Sequence, residues 1–212
     1  SAWSALGSGY GNPGADGYVY ALTVLEDDPY PFLYAGGDFS SITTRSFESF
    51  ALWDGRVWYT FDTGLTDSVG ERGRVYALAT YDDGSGPAVY AGGDFTHANG
   101  RPSAYFAKRV PEDLEYRFSS LGTDFDDDVR AVHAYDSGNG SELYVGGLFT
   151  TTGTIAASHI ARWRPGEWSR LGSGTDAPVY AITDYDDGSG RQIYVGGSFT
   201  VAGGMGCNRV AR

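Results

Sequence analysis

The chain has 212 residues, long enough to bury a sizeable core, and a net charge of −12. That charge argues against nucleic acid as a partner, because binding it needs a basic stripe; no run of about 18 apolar residues exists to span a membrane. With 32 glycines, 15% aromatic residues and no helix-period pattern, the composition favours short strands joined by many turns.

In chain order, the opening "SAWSALGSG" has neither the basic start nor the apolar core of a signal peptide, which fits a mature product or an excised fragment. Its Trp3 leads a short strand over residues 3–9. An alternating segment follows, "VYALTVLEDD" from Val19, then "LYAGGDFS" at 33–40, "FALWDG" from Phe50, and the aromatic-led "VWYTFDTG" with Trp58. The order recurs as "VYALATYDDG" from Val75, "VYAGGDFT" at 89–96, "YFAKRV" from Tyr105 and "YRFSSLGT" with Tyr116. It recurs again as "VRAVHAYDSG" from Val129, "LYVGGLFT" at 143–150, "HIARWR" from His159 and "WSRLGSG" with Trp168. The last copy, "VYAITDYDDG" from Val179, "IYVGGSFT" at 193–200 and "RVAR" from Arg209, stops after its third segment.

The Gly-Gly pairs start at Gly36, Gly92, Gly146 and Gly196, in steps of 56, 54 and 50 residues. Each unit therefore holds strand-length pieces separated by turn chemistry. The first hairpin is the plainest, since "YDDGSG" and "YDSGNG" put Asp and Gly between alternating runs. Four strands repeated at this period form the pattern of a β-propeller blade. The expectation is an all-β single domain over 1–212, with blade cores at 19–64, 75–122, 129–174, and 179–212 plus 3–9. Neighbouring blades must pack on one another, and Phe39, Phe95, Phe149 and Phe199 are the expected packing residues. The glycine pairs read as close packing or a bulge and not as a phosphate loop. The repeated alanines Ala21, Ala77, Ala131 and Ala181 suit a narrow centre.

A Gly-Gly doublet closing the second strand, then an aromatic opening the fourth, resembles the kelch repeat. More narrowly, "VYAL…YDDGSG…YVGGxFT…IARW…W…LGSG" is similar to the kelch-like repeats of large secreted bacterial proteins and of the fungal cortical cell-polarity marker. The resemblance implies a propeller at the cell surface or outside the cell; it implies little about activity, because propellers host many functions. Kelch propellers usually have about six or seven blades, whereas this chain holds four repeats. Repeat two also departs, with "YFAKRVPEDLEY" at 105–116 in place of the "IARW" third strand. Pairing residues 3–9 with the strand ending at Arg212 would close a four-bladed ring and remove both edges. The competing arrangement is strand donation between chains, or two chains in one eight-bladed ring, giving oligomers or filaments.

The acidic hairpin turns hold Asp27 and Asp28, Asp82 and Asp83, Asp136, and Asp186 and Asp187, which fourfold symmetry would gather into a rim. Calcium is the cofactor such oxygens would take, but it wants about six to eight ligands and Asp-Gly is itself a good hairpin turn. A second acidic stretch, "TDFDDD" (Asp124, Asp126, Asp127, Asp128), reads as a solvated connection on the opposite side. His97, His133 and His159 share no repeat position, no nucleophile motif accompanies them, and Cys207 beside Met205 is not a copper site, so no catalytic residues are assigned. "NGS" at 139–141 matches a glycosylation acceptor but sits at a turn.

Connections between strands two and three, and between blades, share one face and vary most in sequence. Tyr10, Tyr18, Arg45, Arg72 and Arg101 lie there and could bind protein or glycan. The expected function is a non-catalytic extracellular binding or adhesion propeller. The alternative is a structural self-assembly module, with a secreted hydrolase or oxidase third.

Overall fold

The computed structural model describes residues 6, 14–26, 31–42, 45–46, 49–59, 65–109, 118–122, 124–136, 138 and 140–212, with the side chains of 45 and 46 excluded. The expected strand at 3–9, with Trp3, and the residues Tyr10, Asp27, Asp28, Tyr116 and Asn139 lie outside the described residues, as does the side chain of Arg45. No helix among the described residues is long and apolar enough to cross a membrane.

The protein is all-β, built of repeated small antiparallel sheets. The first sheet holds Tyr18–Leu25, Phe32–Asp38, Phe50–Trp53 and Trp58–Tyr59, in that spatial order. The second holds Val75–Asp82, Pro87–Gly93, Phe106–Arg109 and Phe118–Ser119. The third holds Val129–Asp136, Ser141–Gly147, Ile160–Arg164 and Glu167–Arg170. The fourth shows three described strands, Val179–Asp186, Arg191–Gly197 and Val210–Ala211. Each sheet is a meander, which short turns between alternating segments allow.

Register is common to all four. The first glycine of each pair stands opposite the opening residue of the third strand, as Gly36↔Phe50, Gly92↔Phe106, Gly146↔Ile160 and Gly196↔Val210. Repeat two therefore keeps its third strand despite its divergent sequence: Phe106 supplies the apolar residue at the required register, and the whole of Phe106–Arg109 is buried. In repeat two the described fourth strand is Phe118–Ser119, and its aromatic residue is Phe118. Phe118 pairs with Arg109 as Trp58 pairs with Trp53 and Trp168 with Trp163.

The core lies between consecutive sheets. One cluster joins Tyr34 and Leu52 of repeat one to Val75 and Leu78 of repeat two; another joins Tyr90 and Phe106 to Val129 and Val145; a third joins Ile160 to Val179 and Phe199. Phe39, Phe95, Phe149 and Phe199 are all buried, as the repeat pattern predicts.

The glycine pair is required twice over. A Cβ on Gly36, Gly92 or Gly146 would lie 2.5, 2.2 or 2.6 Å from Cγ1 of Val75, Val129 or Val179 on the next sheet. A Cβ on Gly37, Gly93, Gly147 or Gly197 would lie 2.0, 1.9, 2.1 or 2.1 Å from a carbonyl oxygen of the first strand or of the residue leading into it. Gly196 is the exception, since an added Cβ would meet nothing closer than 3.8 Å.

The loops after the Gly-Gly-x-Phe element were expected to be irregular; they are not. Each carries a small hairpin: Ser41–Ile42 with Arg45–Ser46, His97–Ala98 with Arg101–Pro102, Thr151–Thr152 with Ile155–Ala156, and Val201–Ala202 with Met205–Gly206. The backbone amides of Ser49, Tyr105, His159 and Arg209 donate to the carbonyls of the four phenylalanines. Their own carbonyls accept from Gly37, Gly93, Gly147 and Gly197. These four residues take positive φ, between 61° and 71°, to make the corner. The corner is backbone geometry, so side-chain variety does not disturb it.

Replacing Gly92 by Ala should lower the unfolding free energy by about 2–3 kcal/mol, because the added methyl overpacks the junction. Gly196→Ala, at the same repeat position, should change it by less than about 0.5 kcal/mol. Urea unfolding of the two variants checks the contrast.

Candidate functional site

In every sheet the ladder between the first two strands slips once, between Val19 and Ala21, Val75 and Ala77, Val129 and Ala131, and Val179 and Ala181. The skipped residues are Tyr20, Tyr76, Arg130 and Tyr180. A bulge re-aims the side chain it leaves unpaired, and here one such side chain comes from each repeat. All four line a single open depression of about 470 Å³, together with Asp38 and Arg74. The depression sits where first strands begin and second strands end, which is the face of the variable connections.

Its wall is aromatic and cationic. Tyr18 stacks on Tyr20 with ring centres 6.1 Å apart, and Tyr20 meets Tyr76 at 5.6 Å. The Arg130 guanidinium lies 3.8 Å from the centre of the Tyr76 ring, a cation–π contact. Tyr18, Tyr20 and Tyr180 are 71%, 46% and 51% exposed, so their ring surfaces face solvent.

Charge is distributed in pairs. Asp38 accepts from Nη2 of Arg72 at 2.7 Å and from Nε of Arg74 at 3.0 Å. Asp94 accepts from Nη1 of Arg74 and from the Tyr76 hydroxyl, each at 2.9 Å, while Asp128 accepts from Nη2 of Arg130 at 2.6 Å. The hydrogen bond with Tyr76 and the pairing with Asp38 and Asp94 hold Arg74 above the usual arginine range. Burial pushes the Tyr76 hydroxyl up; it also pushes the Asp128 carboxyl up, against the pull of Arg130. The depression thus offers hydroxyls, guanidinium groups fixed by carboxylates, and ring faces. This is a set that hydrogen-bonds and stacks.

The rim is held by an aspartate three residues before the valine that opens the inner strand. Asp16 accepts from the amides of Ser40 and Ser41 at 2.8 and 2.9 Å and from the Ser40 hydroxyl at 2.5 Å. Asp126 accepts from the amides of Thr150 and Thr151 at 2.7 and 2.8 Å and from the Thr150 hydroxyl at 2.6 Å. Asp176 does the same to Thr200 and Val201, with all three contacts at 2.7 Å. The Ser40 hydroxyl and the Ser41 amide hold Asp16 below the ordinary carboxylate range, as the Val201 amide and Thr200 hydroxyl do for Asp176. Burial opposes the shift at Asp126, but the Thr150 and Thr151 donors outweigh it. In repeat two this position is Arg72, and the Thr96 hydroxyl turns to Nδ1 of His97 at 3.0 Å.

Of the predicted partner-binding residues, Tyr18 and Arg72 stand at this depression, while Arg101 lies in its own loop hairpin. Sequence reasoning missed Tyr20, Tyr76, Arg130 and Tyr180. The available signal was their common place between Val and Ala in "V-x-A", where three copies carry Tyr. The "TDFDDD" stretch is exposed at Asp124, Asp126 and Asp127, as a solvated connection should be, and it also fastens its neighbours: Asp124 takes the Ala104 amide at 3.0 Å, and Asp126 clasps the next loop.

The hairpin aspartates turn inward to their own turns. Asp82 accepts from the amides of Gly84 and Gly86, Asp136 from Gly138, and Asp186 from Gly188 and Gly190. Asp83 pairs with the buried Lys108 at 2.6 Å, and Asp187 pairs with Arg212 at 3.0 Å. Burial works against ionising Asp83, yet Lys108, Ser85 and Tyr90 bring it down to about 2. Among the described residues, no group of three or more His, Cys, Asp or Glu side chains is placed to hold a metal ion. The histidines lie apart: His133 Nε2 meets Asp184 at 2.8 Å across two sheets, and His159 Nδ1 meets the Leu148 carbonyl at 3.0 Å. Comparison with protein-family models, with curated proteins and with solved structures finds no match.

Asp126→Asn should cost about 1 kcal/mol of stability at neutral pH, a modest figure because the carboxylate is partly exposed. Since its folded pKa is depressed, the contribution is in place above the ordinary carboxylate value of about 3.9 and is lost as pH falls through the lower folded value. Thermal melts at pH 7 and pH 3 should show the gap between wild type and variant shrinking in acid.

Proposed function

We propose that the chain is a kelch-like β-propeller module of the cell exterior that binds a protein or glycan, without catalysis, at the face bearing the Tyr20–Tyr76–Arg130–Tyr180 depression. One observation carries this reading: four bulges, one per repeat, aim their side chains into the same depression. A bulge costs ladder bonding, and four in register around one opening are well explained by presentation of those side chains. Exposed tyrosine rings beside fixed guanidinium and carboxylate groups suit the apolar faces and hydroxyls of a sugar ring. They equally suit an aromatic or acidic side chain on a protein. The clasped loop hairpins form a rigid border, which limits the ordering cost of binding.

The self-assembly reading draws support from a separate feature, the apolar side chains on the outer faces of the first and fourth sheets. Leu22 there is 60% exposed and Val210 62% exposed.

The binding reading is tested by screening wild-type protein on a panel of immobilised glycans and on extracellular-matrix proteins. The double variant Tyr20→Ala/Tyr180→Ala is then run against any hit. Both residues are exposed, so melting should be unchanged while affinity falls by about tenfold or more. Retained affinity in the double variant would move the site elsewhere.

A further inference from the structure

The junctions between consecutive sheets share a valine–glycine lock, built three times, and two of them add a tyrosine bond. On the leading side a valine and an aliphatic residue three positions on press against a bare glycine. Val75 and Leu78 press on Gly36, Val129 and Val132 on Gly92, and Val179 and Ile182 on Gly146. A tyrosine near the far end of the first strand then reaches across to a backbone carbonyl at the start of the next sheet's second strand. Tyr81 reaches Ser141 at 3.0 Å, and Tyr135 reaches Arg191 at 2.5 Å.

The two outer sheets carry the unmatched halves of this lock. In the first sheet the pressing pair is Val19 and Leu22, 45% and 60% exposed, where Val75, Val129 and Val179 are fully buried. Its equivalent acceptor is the carbonyl of Pro31, five residues before Gly36 as Ser141 and Arg191 are before Gly146 and Gly196. In the fourth sheet the bare glycine is Gly196, which meets no side chain of a following sheet among the described residues. The reaching tyrosine there is Tyr185, 60% exposed. Val210, opposite Gly196, is 62% exposed, whereas its counterparts Phe50, Phe106 and Ile160 are buried.

We propose that these two faces are halves of one interface, and that a second copy of this chain docks head to tail through it. Val19 and Leu22 of one copy then cover Gly196 and Val210 of the other, and the Tyr185 hydroxyl donates to the Pro31 carbonyl. The contact continues the internal junctions in kind, with the same residue types at the same repeat positions. It is heterologous, so it closes only if the rotation allows, and two copies joined at both ends leave no face uncovered. The inference deepens the self-assembly reading and does not depend on the ligand depression.

The test reads mass. Light scattering after size exclusion of the 212-residue chain should give twice the 22.7 kDa chain mass at micromolar concentration. Gly196→Leu fills the socket and Leu22→Asp charges the pressing residue; both sites are open within one chain, so each variant should keep the wild-type far-ultraviolet circular dichroism and melt lower only by the stabilisation the dimer supplies. Each should weaken dimerisation by at least about tenfold. Disulfide trapping separates the possible occupants. In a Cys207→Ser background, a Leu22→Cys chain mixed with a Gly196→Cys chain should give a two-chain disulfide. A chain carrying both substitutions that cross-links at single-chain mass would overturn the proposal in favour of closure on itself. A single-chain mass for wild type, or a dimer indifferent to both substitutions, would overturn it as well.

Discussion

A hydrogen atom, where other residues have a carbon, sets how closely the sheets of this protein approach. The first glycine of each pair admits the valine of the next sheet, and the second admits a carbonyl of its own sheet's first strand. Interiors are dense enough that a misplaced methyl is felt, so the pair cannot drift. Opposite the pair the first strand slips its ladder by one residue, and that slip is the bulge. The bulge frees one side chain per repeat, and those side chains form the depression.

The same constraint explains the loops. Once the glycine pair and its phenylalanine are seated, the chain must turn a corner to start the third strand. Four residues with positive φ make that corner, held by reciprocal backbone bonds to the phenylalanine and the second glycine. None of the four is glycine. The strain of a left-handed backbone at serine, tyrosine, histidine and arginine is offset by hydrogen bonds that leave no other conformation open. Aspartates then fasten three of the four loop hairpins to the segment that precedes them, despite the varied composition of those loops.

Electrostatics follow a similar economy. The simplest arrangement for a chain of net charge −12 is to wear its carboxylates outward. Many instead accept backbone amides or pair with a specific cation. Lys108, the sole lysine, is buried against Asp83 and Tyr90. In sequence it looks like a residue of a depleted type, because nothing local marks the strand position that brings it to the hairpin turn of its own sheet.

The sequence by itself determined the all-β class, the four-fold repetition, the order of strands within a repeat and the burial of Phe39, Phe95, Phe149 and Phe199. These depend on local alternation and on turn residues, and both are written along the chain. Two of the residues it singled out, Tyr18 and Arg72, stand beside residues that line the depression. Only the tertiary structure decided that Phe118 stands opposite Arg109 in the fourth-strand position, that the "TDFDDD" segment fastens its neighbours, and that Tyr20, Tyr76, Arg130 and Tyr180 line one depression. Each of these depends on register between strands or on packing between repeats. A one-residue slip changes which face a side chain serves without changing any residue, and it exists only in the pairing of one strand with another.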